Sequence, residues 1–465
     1  MQKLTKIIAS IGPNSQKQKI IKEMIAAGTD VCRLNFSHDI KRIQGAKFDV
    51  IRKISAELGR PIAIIADLQG PKHRIGDFKT SDKYHLEIGQ TFVLDNDPAL
   101  GDSKRVQLPD ENVLLSLKTG DRVLLNDGKI ELEVTEDAGC KMQCEKKKKS
   151  HCSVTTRVIR GSEIWSRRGF NIPDTEVETS VLTKKDRADL EYILSKNPDF
   201  VAISFVQKPE DIAEVRDFIT ARTSYPVQII AKIERPQAVR RFEDIAGLAD
   251  AIMVARGDLA VEMPYWQVPS IQRSLVRSCR RKNKPIVIAT QMLASMVNSE
   301  FPLRAEVSDV ATSAYLRTDS VMLSEETTIG NNPLLVIQTM SKILANADDD
   351  SHENSYDWNR VDHIPENDWS RSVASMAYLN KASVIIVFDR DGTATREISC
   401  RRPDIPIIAV CNSPVTANQL CLSRGVYPIF DERMFGQRDI AAALSTVGIP
   451  RGKIVIVDGE KIELQ

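Results

Sequence analysis

Glu234 and Asp258 each follow a short apolar run, and Lys232 stands two residues before Glu234. Two carboxylates at the ends of neighbouring runs can converge on one hard divalent ion and leave coordination positions for substrate oxygens. Residues two apart in an extended chain share a face, so the Lys232 ammonium accompanies that pair. Positive charge held there suits the stabilisation of an enolate or of a phosphoryl group in transfer. Polar residues close the other apolar runs in the same way: Ser10; Arg33, Asn35 and Ser37; Asp67; Ser204; Arg256; Thr290; Ser324 and Glu326. Lys72 and Arg74 add cations close by. Any one of these is ordinarily a loop group; their recurrence at eight run ends calls for a chemical explanation, and the local charge calls for a multiply anionic substrate.

The runs that carry these residues are short and β-branched: Lys6 to Ile11, Asp30 to Phe36, Ile62 to Leu68, Phe200 to Val206, Gln228 to Ile233, Ala251 to Ala255, Ile286 to Thr290 and Ser320 to Ser324. Amphipathic stretches separate them, as in Pro209 to Arg222, where Ile212, Val215, Phe218 and Ile219 recur at helical spacing. Strand and helix alternating eight times predict an α/β fold, a closed (β/α)8 TIM barrel whose strands are buried on both faces. The C-terminal strand ends of such a barrel open into the active-site mouth, and the polar residues fall there.

Two further segments have a different texture. In residues 71–164, Tyr84 to Ile88, Thr91 to Leu94, Arg122 to Leu125 and Ile130 to Val134 are strand-like, and Asn126-Asp127-Gly128 suits a hairpin turn. They predict an inserted β-rich, β-barrel-like lid domain that leaves the barrel on the mouth side. Within it Lys146 to Lys149 reads as a solvated loop. Cys140, Cys144, His151 and Cys152 match no standard zinc spacing, so free thiols are expected. Beyond the last barrel helix a polar linker, DDDSHENSYDWNR, precedes strand candidates Val384 to Phe388, Ile405 to Val410, Tyr427 to Phe430 and Ile454 to Val457. These predict a C-terminal α/β domain for regulation or oligomerisation. The expected boundaries are 1–70 with 165–345 for the barrel, 71–164 for the lid and 346–465 for the last domain.

A chain of 465 residues is too long for one core, because single cores stop growing beyond about 250 to 300 residues. Lys+Arg 64 against Asp+Glu 63 leaves a net charge of +1, which excludes a net electrostatic footprint for nucleic acid or an anionic membrane. No apolar stretch reaches the roughly 18 residues of a membrane span, and MQKLTKIIASIG has no signal-peptide core, so a cytoplasmic protein is expected. The eight cysteines form no dense framework, which favours reduced thiols. To this point the residues describe a metal-dependent barrel enzyme acting on phosphorylated or enolisable acids. The reaction stays open, with aldolases and lyases as rivals.

Several segments together resemble the pyruvate kinase family: TKIIASIGPNS at 5–15, VCRLNFSH at 31–38, DLQGPKHRIG at 67–76, RRGFNIP at 167–173, SFVQKPEDI at 204–212, AKIERPQAV at 231–239, ARGDLAVEMP at 255–264 and ATQMLASM at 289–296, with RAEVSDVATSAY leading to SVMLSEET. The resemblance implies phosphoryl transfer from phosphoenolpyruvate to ADP, the last step of glycolysis, and a homotetramer, with no nucleic-acid or membrane partner. It implies Glu234 and Asp258 as ligands of Mg2+, with Mn2+ as a substitute, Lys232 as the stabiliser of the transferring phosphoryl and enolate, and Arg33 as the grip on the phosphate. Gly257, Asp258 and Thr290 then surround the substrate carboxylate, and Ser324 with Glu326 runs the proton relay. Asn35, Ser37, His38, Arg74 and Arg168 fall on the nucleotide side, Arg168 standing where the family usually has lysine. A non-catalytic paralogue would be expected to lose Lys232, Glu234, Asp258 or Thr290, and all four are present.

The departures from the family pattern are as informative. Many members carry DTKGPEIRT where this chain has Asp67-Leu68-Gln69-Gly70-Pro71-Lys72-His73-Arg74-Ile75. Leu68 removes a hydroxyl ligand of the family's K+, and Lys72 brings a fixed positive charge where other members have a carboxylate. Asn35, Ser37, Asp67 and Lys72 are therefore the monovalent-cation site or its replacement, and the expectation is a member of the lysine-containing subgroup that needs no K+. Asp39 and Glu325 add negative charge near the mouth. In the C-terminal domain, Phe388-Asp389-Arg390-Asp391-Gly392-Thr393 stands in place of a Ser/Thr-rich phosphate loop, and the chain ends soon after Val455-Ile456-Val457-Asp458-Gly459 without a glycine-rich closing loop. The expectation is no activation by fructose 1,6-bisphosphate.

Overall fold

The computed structural model describes residues 3–37, 41–81, 83–141, 151–177, 180–353, 368–450 and 452–465, with backbone alone for 138–141, 151 and 351–353. Lys6–Ser10, Val31–Asn35, Ala63–Asp67, Phe200–Ile203, Gln228–Ile233, Ala251–Ala255, Ile286–Ala289 and Ser320–Leu323 form a closed parallel barrel, each strand beside its neighbour in sequence and the first closing on the eighth. Lys6 stands opposite Ser320 at that closure.

The alternation of side chains along a strand accounts for both the core and the site. Ile8, Val31, Ala63, Ile65, Phe200, Ala202, Ile230, Met253, Val287 and Met322 form the buried interior of the barrel. Their neighbours, among them Ile7, Cys32, Ile64, Val201, Ile229 and Ile252, belong to the separate core shared with the surrounding helices. Carrying the inward parity two residues further brings Ser10, Arg33, Asp67, Ser204 and Lys232 into one polar layer at the mouth.

The lid is a six-stranded sheet in the order Phe170–Asn171, Arg122–Leu125, Ile130–Lys141, His151–Arg160, Thr91–Asp95 and Arg105–Gln107, with a separate short pair of Tyr84–His85 and Glu163–Ile164. Phe92, Leu94, Val106, Val123, Leu132 and Val154 give it a core of its own. Asn126, Asp127 and Gly128 adopt φ values of 52°, 54° and 78°, the left-handed turn that these residue types tolerate. The strand expected from Tyr84 to Ile88 stops at His85, where the chain turns towards Gly89 at φ 84°. The expectation of free thiols holds at Cys32, Cys279, Cys400, Cys411 and Cys421 and is corrected at Cys152, which is disulfide-bonded. Strand pairing brings together cysteines that linear spacing leaves unrelated: Cys140 stands opposite Cys152 in the register. Cys144, Lys146 to Lys149, His38 and Asp39 lie outside the described residues.

The C-terminal sheet runs Val426–Phe430, Ile407–Cys411, Val384–Asp389, Ile454–Asp458 and Lys461–Leu464, parallel except for the last strand. Its domain seats on the barrel floor, where Cys421 and Leu422 join the interior cluster. Arginines that would ordinarily lie at the surface are buried in that junction. Arg402 donates to Asp319 at 2.7 and 2.5 Å, Arg424 to Asp348 at 2.7 Å, and Arg317 lies 2.9 Å from Asp404. Asp348 also accepts from the amides of Leu4 and Thr5 at 2.7 and 2.9 Å, which ties the start of the first strand to the same junction.

Candidate active site

At the mouth the inward layer is a chain of alternating charge. Arg33 donates from Nε to Asp67 Oδ2 at 2.7 Å and from Nη1 to Ser10 Oγ at 2.9 Å. Lys232 Nζ donates to Ser204 Oγ at 2.7 Å and lies 3.0 Å from Glu234 Oε1 and 3.5 Å from Asp67 Oδ1. Burial works against the Lys232 charge, but Asp67 and Glu234 outweigh it and push the pKa up to about 12. Burial also opposes the Asp67 charge, and Lys232 and Arg33 outweigh it, holding that carboxyl below its ordinary range. Glu234 is pushed up by burial; Lys232 pulls against that rise and the charge of Asp258 adds to it.

Two strained backbone turns aim groups at this layer. Phe205 has φ 59°, unusual for an aromatic residue, and its amide donates to Glu234 Oε2 at 2.7 Å. Thr290 and Gln291 follow the seventh strand at φ 71° and 56°, and Thr290 Oγ1 accepts from the Gly257 amide at 2.9 Å. Arg256, a strand-end cation, is a tie: it donates to Asp309 at 2.7 Å and to the Thr290 carbonyl at 2.8 Å. Glu326 is a brace, its two oxygens accepting from the amides of Leu293 at 3.2 Å and Ser324 at 2.7 Å.

Glu234 is 1% exposed, whereas the Asp258 side chain is 34% exposed and faces the mouth with Lys72 Nζ 3.5 Å from its Oδ1. Among the described residues no three His, Cys, Asp or Glu side chains converge as a metal cage. A carboxylate pair that leaves most positions to substrate oxygens fits Mg2+, which is seldom held by protein ligands alone. On the lid side, Arg74 donates to the Arg167 carbonyl at 3.0 Å, and the Arg168 guanidinium lies 4.5 Å from the centroid of the Trp165 ring. Asn35 Oδ1 accepts from the Ser37 amide at 3.0 Å, which shapes the loop after the second strand.

Reading strand ends alone passes over Glu262 and Asn171. Glu262 closes the Arg256–Glu262 helix, one turn beyond Asp258, and its Oε1 accepts from Asn171 Nδ2 at 2.7 Å. The four-residue spacing from Asp258 was available as a signal; the contact with a lid residue was not.

A family model described as the pyruvate kinase barrel domain matches residues 2–337, and one described as the pyruvate kinase alpha/beta domain matches residues 367–463. A pyruvate kinase of Methylorubrum extorquens is 41% identical over 429 residues, 91% of this chain and 86% of that protein. A pyruvate kinase of Thermococcus litoralis is 34% identical over 467 residues, 98% of this chain and 95% of that protein. The crystal structure of a pyruvate kinase from Cryptosporidium parvum has a TM-score of 0.90 at 30% identity, covering 100% of this chain and 96% of that one. With the barrel, the charged mouth and both domain matches in agreement, the chain belongs to the pyruvate kinase family.

Proposed function

We propose that the chain transfers the phosphoryl group of phosphoenolpyruvate to ADP, giving ATP and pyruvate. The alternating chain of Arg33, Asp67, Lys232 and Glu234 carries this reading, because it offers two held cations to one multiply anionic substrate. Arg33 grips the phosphate. Lys232, charged across the neutral range, faces the oxygens that gain charge as the bond from phosphorus to the enol oxygen breaks and the bond to the ADP β-phosphate oxygen forms. Glu234 and Asp258 would hold Mg2+ or Mn2+, which when bound supplies neutralising charge among the phosphates. Gly257 and Thr290 line the substrate carboxylate. The enolate takes up a proton at carbon, the step that Ser324 and Glu326 serve. Asn35, Ser37, His38, Arg74 and Arg168 form the nucleotide side. A lactate-dehydrogenase-coupled assay with phosphoenolpyruvate, ADP and Mg2+ tests the whole, and no pyruvate with or without K+ would reject it.

K+ is not required in this reading. Leu68 is buried in the apolar core, and the Lys72 ammonium stands beside Asp258. Activity in tetramethylammonium buffer should equal that with K+, and Lys72→Glu should make turnover depend on K+. Strong K+ activation of the unmutated enzyme would instead make Asn35, Ser37 and Asp67 a working K+ site. Fructose 1,6-bisphosphate does not activate, because carboxylates already hold the amides a phosphate would need. Asp389 accepts from Gly392 and Thr395 at 3.0 and 2.8 Å, and Asp391 accepts from Thr393 at 2.9 Å. A large fall in half-saturation for phosphoenolpyruvate on adding the sugar bisphosphate would refute this.

The assembly we propose is a homotetramer in the cytoplasm. Tyr265, Trp266, Phe301 and Leu303 leave large apolar side chains exposed on the barrel. No helix of the described residues is long and apolar enough to cross a membrane. Light scattering on the purified protein gives the mass directly, and a monomer would overturn the tetramer.

A further inference from the structure

Both chain crossings between barrel and lid are fastened to one short helix. Lys72, on the outgoing crossing, places Nζ 3.5 Å from Asp258 Oδ1, and Asn171, on the returning one, donates to Glu262 Oε1 at 2.7 Å. Asp258 and Glu262 sit one turn apart on the Arg256–Glu262 helix and share a face. The two contacts differ in kind. The Lys72 and Asp258 side chains are 31% and 34% exposed, and their separation is long for a charge-assisted hydrogen bond. Asn171 and Glu262 are 7% and 2% exposed, and theirs is a full hydrogen bond to a carboxylate. Glu262 Oε2 is buried without a hydrogen-bond partner among the described residues, so the Asn171 amide supplies the hydrogen bond to this carboxylate, with the Arg235 charge also acting on it. Asn171 is in turn paired with Leu124 in the lid sheet.

We infer that the contact between Asn171 and Glu262 is the pivot of the lid, and that Glu262 is a positioning residue for Asp258. It keeps the helix that presents Asp258 in one relation to the returning lid strand, while the exposed contact between Lys72 and Asp258 opens and closes. The inference rests on the phosphoryl-transfer reading of the site. A buried carboxylate deprived of its donor is costly, so the helix turns to seek water and Asp258 turns with it. The damage then falls on the divalent ion and on the substrate carboxylate, because Gly257 turns with the same helix, while Arg33 and Lys232, on barrel strands, keep their hold on the phosphate.

Asn171→Ala and Glu262→Ala, singly and together, test this beside the unmutated enzyme, with Mn2+ binding to the free protein followed by electron paramagnetic resonance. Each single variant should weaken Mn2+ binding and raise KM for phosphoenolpyruvate about tenfold, the usual scale for a hydrogen bond to a charged group. The double variant should be no worse than either single one. Glu262→Gln, which keeps the acceptor for Asn171, should recover most of the affinity. Should the truncations unfold the chain, Asn171→Asp sets like charges against each other without emptying the space and should produce the same losses. Unchanged Mn2+ affinity and phosphoenolpyruvate KM in folded variants, or additive losses in the double variant, would overturn the pivot. Failure of the phosphoryl-transfer reading is separate, since it would appear as absence of pyruvate from the unmutated enzyme.

Discussion

Lys232 is held by Ser204, Glu234 and Asp67 at once, so its ammonium is positioned before any substrate arrives. Preorganised charge of this kind stabilises a transition state without reorganisation during the reaction. Lys232→Met should lower kcat about a thousandfold, the scale seen when one such stabilising group is removed. Circular dichroism should stay native, since Arg33 continues to partner Asp67. Because the Lys232 pKa is raised, its contribution to stability is complete below the ordinary lysine range and is lost only as pH climbs through about 12. A fall in rate near neutral pH is therefore not a titration of Lys232. These residues were legible before the fold was known, because strand parity alone decides that Arg33, Asp67 and Lys232 point inward.

At the scale of elements, the eight barrel strands announced themselves as apolar runs because they are buried on both faces. The lid did not. Phe170–Asn171 is a two-residue strand with no periodicity to detect, and the Ile130–Lys141 strand carries register shifts against His151–Arg160 that break the alternation. Glu262 and Asn171 were hidden for a related reason: their partnership exists only once the lid has been folded back onto the barrel. Lid elements also set the proposed nucleotide side. Trp165 supports Arg168 from a position next to the short Glu163–Ile164 strand. Trp165→Ala should raise KM for ADP several-fold, the effect of losing about 0.5 to 2 kcal/mol of cation–π attraction, with KM for phosphoenolpyruvate nearly unchanged. Steady-state kinetics with each substrate varied in turn separates the two.

The whole molecule is joined at the end of the barrel opposite the mouth, and the charges there could not be read from sequence, where arginine is ordinarily a surface residue. Arg402 and Asp319 are both 0% exposed, so Arg402→Met leaves an uncompensated buried carboxylate and should cost about 3 to 5 kcal/mol, read as a large fall in Tm. The same junction is pH-sensitive. Burial lowers Lys6 to about 8, against the pull of Asp30. Between that value and its ordinary 10.5 the unfolded chain binds the proton and the folded chain does not, so stability from this group rises with pH. Burial opposes the Asp30 charge, yet Lys3, Lys6 and Arg60 hold its pKa at about 2, so its contribution is present above the ordinary carboxylate range and lost in acid. Thermal unfolding of the unmutated protein beside Lys6→Met at pH 8 and pH 10 should show the former gaining on the latter. The ties that bind Thr5 to Asp348 and Arg424 also set a timetable. They join residues 343 and 419 apart in the chain, so at a synthesis rate of about 5 to 20 residues per second Thr5 waits roughly 20 to 80 s for Arg424. The lid, contiguous in sequence and furnished with its own core, can form in that interval. The first barrel strand is therefore the first made and among the last placed, an apolar segment that the ribosome-bound chain must keep from other partners until its C-terminal domain has been made.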